Sequence, residues 1–329
     1  MKAQIVIMIL AWLSCGAALA DPNTSDAYAA IFDKVLQANA DAAVAACHEL
    51  QQTLNSPSDD KRHTAFVALA QAWTKVRASY VLGGYDMAAM DYPLLIAYFH
   101  VGKEDLHESL EQIVEGTLPP ASALYKNSYK TLRALDDVMF SGPWLPRREQ
   151  MAGFITGHLC KRLAQVSEGY RAHRGDFLAD PEHALSLLIN AEIESLYKTR
   201  DWRIAQIIGL TKKSLGQQQP DKQEYPYSQA SWPVIGAIIA AHEQLLAEDR
   251  QPNIATIAHA RQAGEGLILI QKGLSETARA YQAVPPDKAF DLQATIPVFQ
   301  GLLDTQKAFY RHLVGRIGVT ASIIDADGD

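Results

Sequence analysis

Arg133 and Asp136 stand three residues apart in the stretch Ala123 to Gly142, with Asp137 directly after them. On a helix that spacing makes the guanidinium and the carboxylate neighbours on one face. Such a pair is either an intrahelical ion pair, worth roughly 0.2–0.5 kcal/mol, or the charged part of a binding site. Arginine stays protonated and offers no lone pair, so Arg133 suits an anion and cannot ligate a metal. Asp136 could accept hydrogen bonds or hold a cation. Asp91, just before Tyr92-Pro93, is either a helix cap or a second carboxylate ligand. Trp73 and Trp232 are core anchors or the walls of a ligand site, and Arg77, four residues after Trp73, can stack its guanidinium on that ring.

Other chemistries fail on spacing. A zincin helix needs His-Glu-x-x-His, but His48-Glu49 is followed by Gln52, and His242-Glu243 by Leu246. A di-iron bundle needs two Glu-x-x-His pairs, and Glu104 to His107 supplies one. No Gly-x-Ser-x-Gly elbow follows a strand. Gly264-Glu265-Gly266 lies inside a helical pattern and does not form a phosphate loop. His158, on an apolar face one turn from Phe154, reads as a core histidine. Tyr225 and Tyr227 read as partly buried loop tyrosines, and Asp325 to Asp329 as a solvated tail.

These groups must be positioned by helices. Strand signals are nearly absent, and apolar residues recur at three and four throughout. Leu124, Ser128, Leu132, Leu135 and Met139 mark one helix across Ala123 to Gly142, entered at Pro119-Pro120 and stopped by Gly142-Pro143. Further helices are expected over Asp26 to Leu54, over Asp59 to about Tyr80 after a Ser58 cap, and over Asp105 to Val114. Others are expected over Arg147 to Arg174, Pro181 to about Lys213, Ser228 to Ala247, Ile254 to Tyr281 and Asp287 to Val314. Pro93 should end or kink any helix at Tyr92. Gly216 to Tyr225 reads as a polar loop. The expected fold class is all-α, with two up-and-down helical bundles packed around a cleft. The bundles divide near Gly175 to Pro181, giving residues 21–176 and 177–329.

Residues 1–20 have the form of an export signal. Lys2 precedes the apolar run Ile5 to Leu13, and Ala18-Leu19-Ala20 is a small-x-small site, so cleavage is expected after Ala20. Cys15 raises the alternative of a lipid anchor, but Trp12-Leu13-Ser14 is a poor lipobox. No later stretch is apolar enough to span a bilayer. With 30 Lys+Arg against 37 Asp+Glu and no basic run, the chain is not built for nucleic acid. Cys47 and Cys160 remain after cleavage; in an oxidising compartment they are either one disulfide or two buried thiols.

These features together resemble the imelysin-like family, also called the insulin-cleaving metallopeptidase family. Ala72 to Arg77 resembles its early Trp helix, Asp91-Tyr92-Pro93 its Asp-x-Trp-Pro segment, and Ser231-Trp232-Pro233 its Ser-Trp helix entry. Thr131 to Asp136 falls at its Gly-x-His-x-x-Glu motif, with Thr131 for Gly, Arg133 for His and Asp136 for Glu. The resemblance implies two helical bundles with the motif helix facing the cleft. It also implies a periplasmic, non-catalytic binding or accessory protein in metal acquisition, chiefly of iron. The ligand or metal ion would sit in the inter-domain cleft on Arg133, Asp136, Asp91, Trp73, Arg77, Ser231 and Trp232. The ion would be iron or another transition metal, with Asp136 and Asp91 as its candidate carboxylates. One alternative is an envelope protein whose degenerate cleft docks a redox partner of an iron-uptake pathway. A metallopeptidase is the less favoured alternative.

Overall fold

The computed structural model describes residues 22–98, 105–250 and 252–321. The expected export signal with Cys15, Glu104 and the acidic tail lie outside these residues. All regular structure among the described residues is helical, and no described helix is long and apolar enough to cross a membrane.

The N-terminal rod is α1 (Pro22–Ile31), a wide turn over Phe32–Gln37, and α2 (Ala38–Thr53). Ser58 then caps α3 (Asp59–Ala78), its side chain accepting from the Lys61 amide at 3.3 Å. Shorter pieces follow: α4 (Tyr92–Ile96), α5 (Leu106–Glu115), α6 (Pro120–Ala123) and α7 (Leu132–Phe140). The 34-residue α8 (Pro146–Ala179) starts on a proline, whose missing amide is no loss at that position. Its buried Met151, Ile155, Leu159, Leu163, Val166, Tyr170 and Phe177 form one stripe. The rest is α9 (Pro181–Lys198), α10 (Ser231–Leu246), α11 (Ile254–Ala260), α12 (Gly264–Ala283), α13 (Leu292–Ala308) and α14 (Val314–Ile317).

In the first half α2 packs on α3 and α8; in the second α12 pairs with α13, while α9 packs on α13 and α10 on α12. Because α10 also lies along α3, the buried apolar side chains of both halves form one contiguous core. Gly273 faces Thr305, and Gly301 faces Thr277, so α12 and α13 approach so closely that a Cβ at either glycine would collide with the opposing threonine.

Three local expectations are corrected. Ala123 to Gly142 is not one helix: α6 ends at Ala123, and α7 begins after Thr131, whose side chain accepts from the Ala134 amide at 3.3 Å. Pro93 does not end a helix; it occupies the first turn of α4, where its ring fits. Ile254 to Tyr281 is broken between α11 and α12, where Gln262 adopts a left-handed φ of 58°. Over the expected junction from Gly175 to Pro181, α8 runs on to Ala179 and α9 begins at Pro181. Of the two readings for Cys47 and Cys160, the structure has the disulfide: Cys47 of α2 and Cys160 of α8 are bridged, with Cα atoms 5.5 Å apart.

Candidate functional site

A cleft of about 510 Å³ opens between the two halves of the chain. Its first wall is Thr74 and Arg77 of α3 with the segment from Tyr80 to Tyr98; the other is Ala191, Glu194, Ser195 and Lys198 of α9, followed by Trp202 and Arg203. Arg77, Lys198 and Arg203 bring three cations to the lining, against the carboxylates of Asp91 and Glu194.

Arg77 and Arg203 are held by one group. Arg77 donates to Glu224 Oε1 at 2.9 Å and Arg203 to Glu224 Oε2 at 2.7 Å. Glu224 is 2% exposed. Burial pushes its carboxyl up, and the Arg77 charge opposes that shift. Two guanidiniums thus converge on one buried carboxylate, and both residues line the cleft.

Arg133 and Asp136 do not line that cleft. The Arg133 guanidinium donates to the backbone carbonyls of Gln223 and Glu224, the latter at 3.0 Å. Asp136 is fully buried and accepts from the amides of Tyr227 at 3.2 Å and Ser228 at 3.0 Å. Ser231, at the start of α10, accepts from the Tyr225 amide at 2.8 Å. The three side chains fasten the segment 223–228, which carries Glu224 into place beneath Arg77 and Arg203. A capped, core-facing helix and an irregular loop are thereby tied through backbone groups that would otherwise be buried unpaired.

The remaining candidates scatter. Asp91 lines the cleft; it stands at the head of α4, where its side chain makes no capping bond. Trp73 is fully buried in the core, and Arg77 reaches Glu224 instead of stacking on it. Trp232 stacks on Tyr281 with ring centroids 5.0 Å apart, away from the cleft lining. Tyr225 is fully buried against Phe66, not partly exposed. Asp91 therefore lines the cleft while Asp136 does not, both Asp136 oxygens accepting from the loop.

Among the described residues one group has the makings of a metal site: His107, Glu111 and Asp137 can bring ligand atoms within 4.8 Å of one another. The buried Arg148, however, already holds both Glu111 oxygens at 2.5 and 2.7 Å, and His107 Nδ1 lies 3.0 Å from Asp137. A guanidinium seated on one of three ligands makes this an ion-pair network tying α5, α7 and α8.

Two solved structures share the architecture. An imelysin-like protein from Psychrobacter arcticum 273-4 superposes with a TM-score of 0.76 at 13% identity, covering 92% of this chain and 97% of that one. The fold is imelysin-like. A protein of Parabacteroides distasonis ATCC 8503, described as an iron-regulated protein A precursor, gives a TM-score of 0.67 at 12% identity, covering 92% of this chain and 96% of that one. No protein-family model and no curated protein matches the chain.

Within this imelysin-like fold, Asp136 makes the pH dependence of stability testable. Burial raises its carboxyl from an ordinary 3.8 to about 6, against the opposing hydrogen bonds from Ser228 and Tyr227. Between those two values the folded chain keeps a proton that the unfolded chain has released. Stability from this group therefore rises as pH falls through about 6, levels off near 4, and is lost again as pH rises. Relative to Asp136→Asn, the wild type should gain up to about 3 kcal/mol between pH 7 and pH 4. Urea unfolding of both proteins at half-unit pH steps measures this; parallel curves would show that the carboxyl is not shifted.

Two groups escaped the spacing rules. Glu224 stands in a polar, Gln-rich stretch with no sign of burial. His242 closes the apolar run of α10 from Val234 to Ala241, just before Glu243 and Gln244, and Glu192 and Ser195 stand three apart on α9. A histidine directly at the end of a long apolar run was the available signal for the second group.

Proposed function

We propose that the protein is an exported binding protein of metal acquisition that takes up an anionic small ligand, such as a carboxylate chelate of iron, in the cleft of Arg77, Lys198 and Arg203. The observation carrying this reading is that Arg77, Lys198 and Arg203 line one cleft, the two arginines sharing the single carboxylate of Glu224 and Lys198 pairing with Glu194. Cationic side chains suit the chelate better than the bare ion, and the two candidate metal carboxylates lie apart. Iron is supported by the description of the Parabacteroides neighbour, and export by the leader from Lys2 to Ala20. The sequence-based expectation of direct coordination by Asp136 is replaced by a chelate held through its own carboxylates.

Isothermal titration with ferric citrate, citrate and zinc chloride tests this. One ferric citrate per chain should bind, and Lys198→Ala, a partly exposed position, should weaken binding about tenfold, the loss of one charge-assisted contact. Zinc bound without ferric citrate, and lost in His107→Ala, would transfer the site to the His107 network. Binding of none of the three would overturn the cleft reading. Exposed Met87, Met90 and Leu94 at and beside the cleft mouth favour a second reading, an envelope partner seated over it. A Met90→Ser/Leu94→Ser variant that keeps ligand binding but loses co-purification of a cross-linked envelope protein would support that reading.

A further inference from the structure

The cleft has a reactive element in its wall that the binding reading does not use. Ser195 of α9 lines it. The Ser195 Oγ lies 3.3 Å from His242 Nε2, and His242 Nδ1 lies 2.6 Å from Glu192 Oε2. His242 and Glu192 are both fully buried. With Nδ1–H donated to the carboxylate, Nε2 turns its lone pair to the serine hydroxyl, which donates to it. This is a hydroxyl, an imidazole and an orienting carboxylate in line, the geometry by which a weak nucleophile is activated.

A buried Glu–His pair inside a helical core is costly and needs a reason. Glu192 Oε1 has no hydrogen-bond partner, a desolvation penalty that an apolar pair at the same two positions would avoid. The placement is economical for chemistry. Glu192 and Ser195 share one face of α9 through their three-residue spacing. The imidazole rises from α10 behind them, and only the serine faces open space.

We infer that Ser195 is a nucleophile, with His242 as its general base and Glu192 as a positioning residue, acting on esters of acids that carry a further negative charge. The Ser195 oxygen would bond to the ester carbonyl carbon while its proton passes to His242 Nε2. Collapse of the tetrahedral intermediate would break the carbon–alkoxide bond, and the departing alcohol would take the proton from His242. Water, deprotonated by the same imidazole, would then release the acid and restore Ser195. The preference for a negatively charged acid follows from Arg77, Lys198 and Arg203 in the lining. The inference rests on the proposed cleft being open to ligands, but not on what it binds.

A fluorophosphonate probe on the folded full chain tests it. One label per chain is expected, on the tryptic peptide containing Ser195, and absent from Ser195→Ala, a substitution that helices tolerate. Glu192→Gln should lower the maximal labelling rate at least tenfold while the half-saturating probe concentration stays put, a split that general loosening of the fold would not give. Mono-p-nitrophenyl succinate should be cleaved at least tenfold faster than p-nitrophenyl acetate. No labelling of the folded wild type, or equal labelling of Ser195→Ala, would overturn the assignment. Equal rates on the two esters would overturn the substrate class. Ferric citrate titration and labelling of the wild type together separate the two readings: binding without labelling sinks the nucleophile alone, and labelling without binding sinks the chelate alone.

Discussion

Glu224→Ala should destabilise the protein by about 3–5 kcal/mol, the cost of removing one member of a buried ion network. The carboxylate accepts from Arg77 and Arg203 at once, and the two side chains are 17% and 6% exposed. Neither guanidinium can move its charge to water without leaving its packing. The alanine also leaves empty volume beneath them, which adds a cavity penalty. A fall in Tm of roughly 10 °C is expected for a chain of this size. Glu224→Gln separates charge from shape, because the amide keeps an oxygen for one guanidinium and loses the charge shared by both. It should recover part of the loss. The consequence extends to the cleft, since Arg77 and Arg203 are two of its three lining cations. A loss below about 1 kcal/mol for the alanine variant, the range of an exposed pair, would mean that the network is solvated and that Glu224 does not set the cleft.

The contrast between Glu224 and the long helices shows what could be read from the chain beforehand. The stripe of α8, the Ser58 cap and the absence of strands follow from periods and caps that act within one or two turns. They were legible because local sequence decides them. The break at Thr131 was missed because Leu124 and Ser128 keep the helical spacing although neither belongs to α7. A threonine cap won over periodicity there. The break at Gln262 carries no glycine or asparagine to announce its left-handed backbone.

The candidate site was less legible for a different reason. Arg133, Asp136 and Ser231 are polar residues at the edges of buried helices, and a sequence cannot say whether such a residue faces a ligand or a loop. They face the loop 223–228, ninety or more positions downstream for the first two. Their partners are mostly backbone amides and carbonyls, which have no residue signature. Arg77 and Asp91 do line the cleft, but the walls that complete it come from α9 and the turn after it, where no motif marks Lys198 or Arg203. Ser195, Glu192 and His242 are joined by hydrogen bonds between two helices, and motif rules built on a strand-to-helix elbow have no purchase on that arrangement.

Reduction of the Cys47–Cys160 bridge should be the other large effect. The bridge ties α2 to α8 across 113 residues of sequence. Loop-closure entropy for a ring of that size gives about 5 kcal/mol at 25 °C, and measured bridges of this kind give about 2–5. Both sulfurs sit in the core, with Cys47 fully buried and Cys160 6% exposed, so the reduced thiols remain well packed and most of the loss comes from the freed unfolded chain. The Cys47→Ala/Cys160→Ala variant and the dithiothreitol-treated wild type should therefore unfold at similar urea concentrations, both well below the oxidised protein. Peptide mapping after denaturation without reductant should find neither cysteine alkylated. Alkylation of both would return the pair to buried thiols. A double variant as stable as the oxidised wild type would mean that α2 and α8 hold their register through apolar packing alone. The same measurement bears on compartment, because a bridge of this kind persists in an oxidising envelope and is rare where glutathione keeps thiols reduced. Protein retained in a reducing cytosol by deletion of residues 1–20 should show the lower stability until it is oxidised.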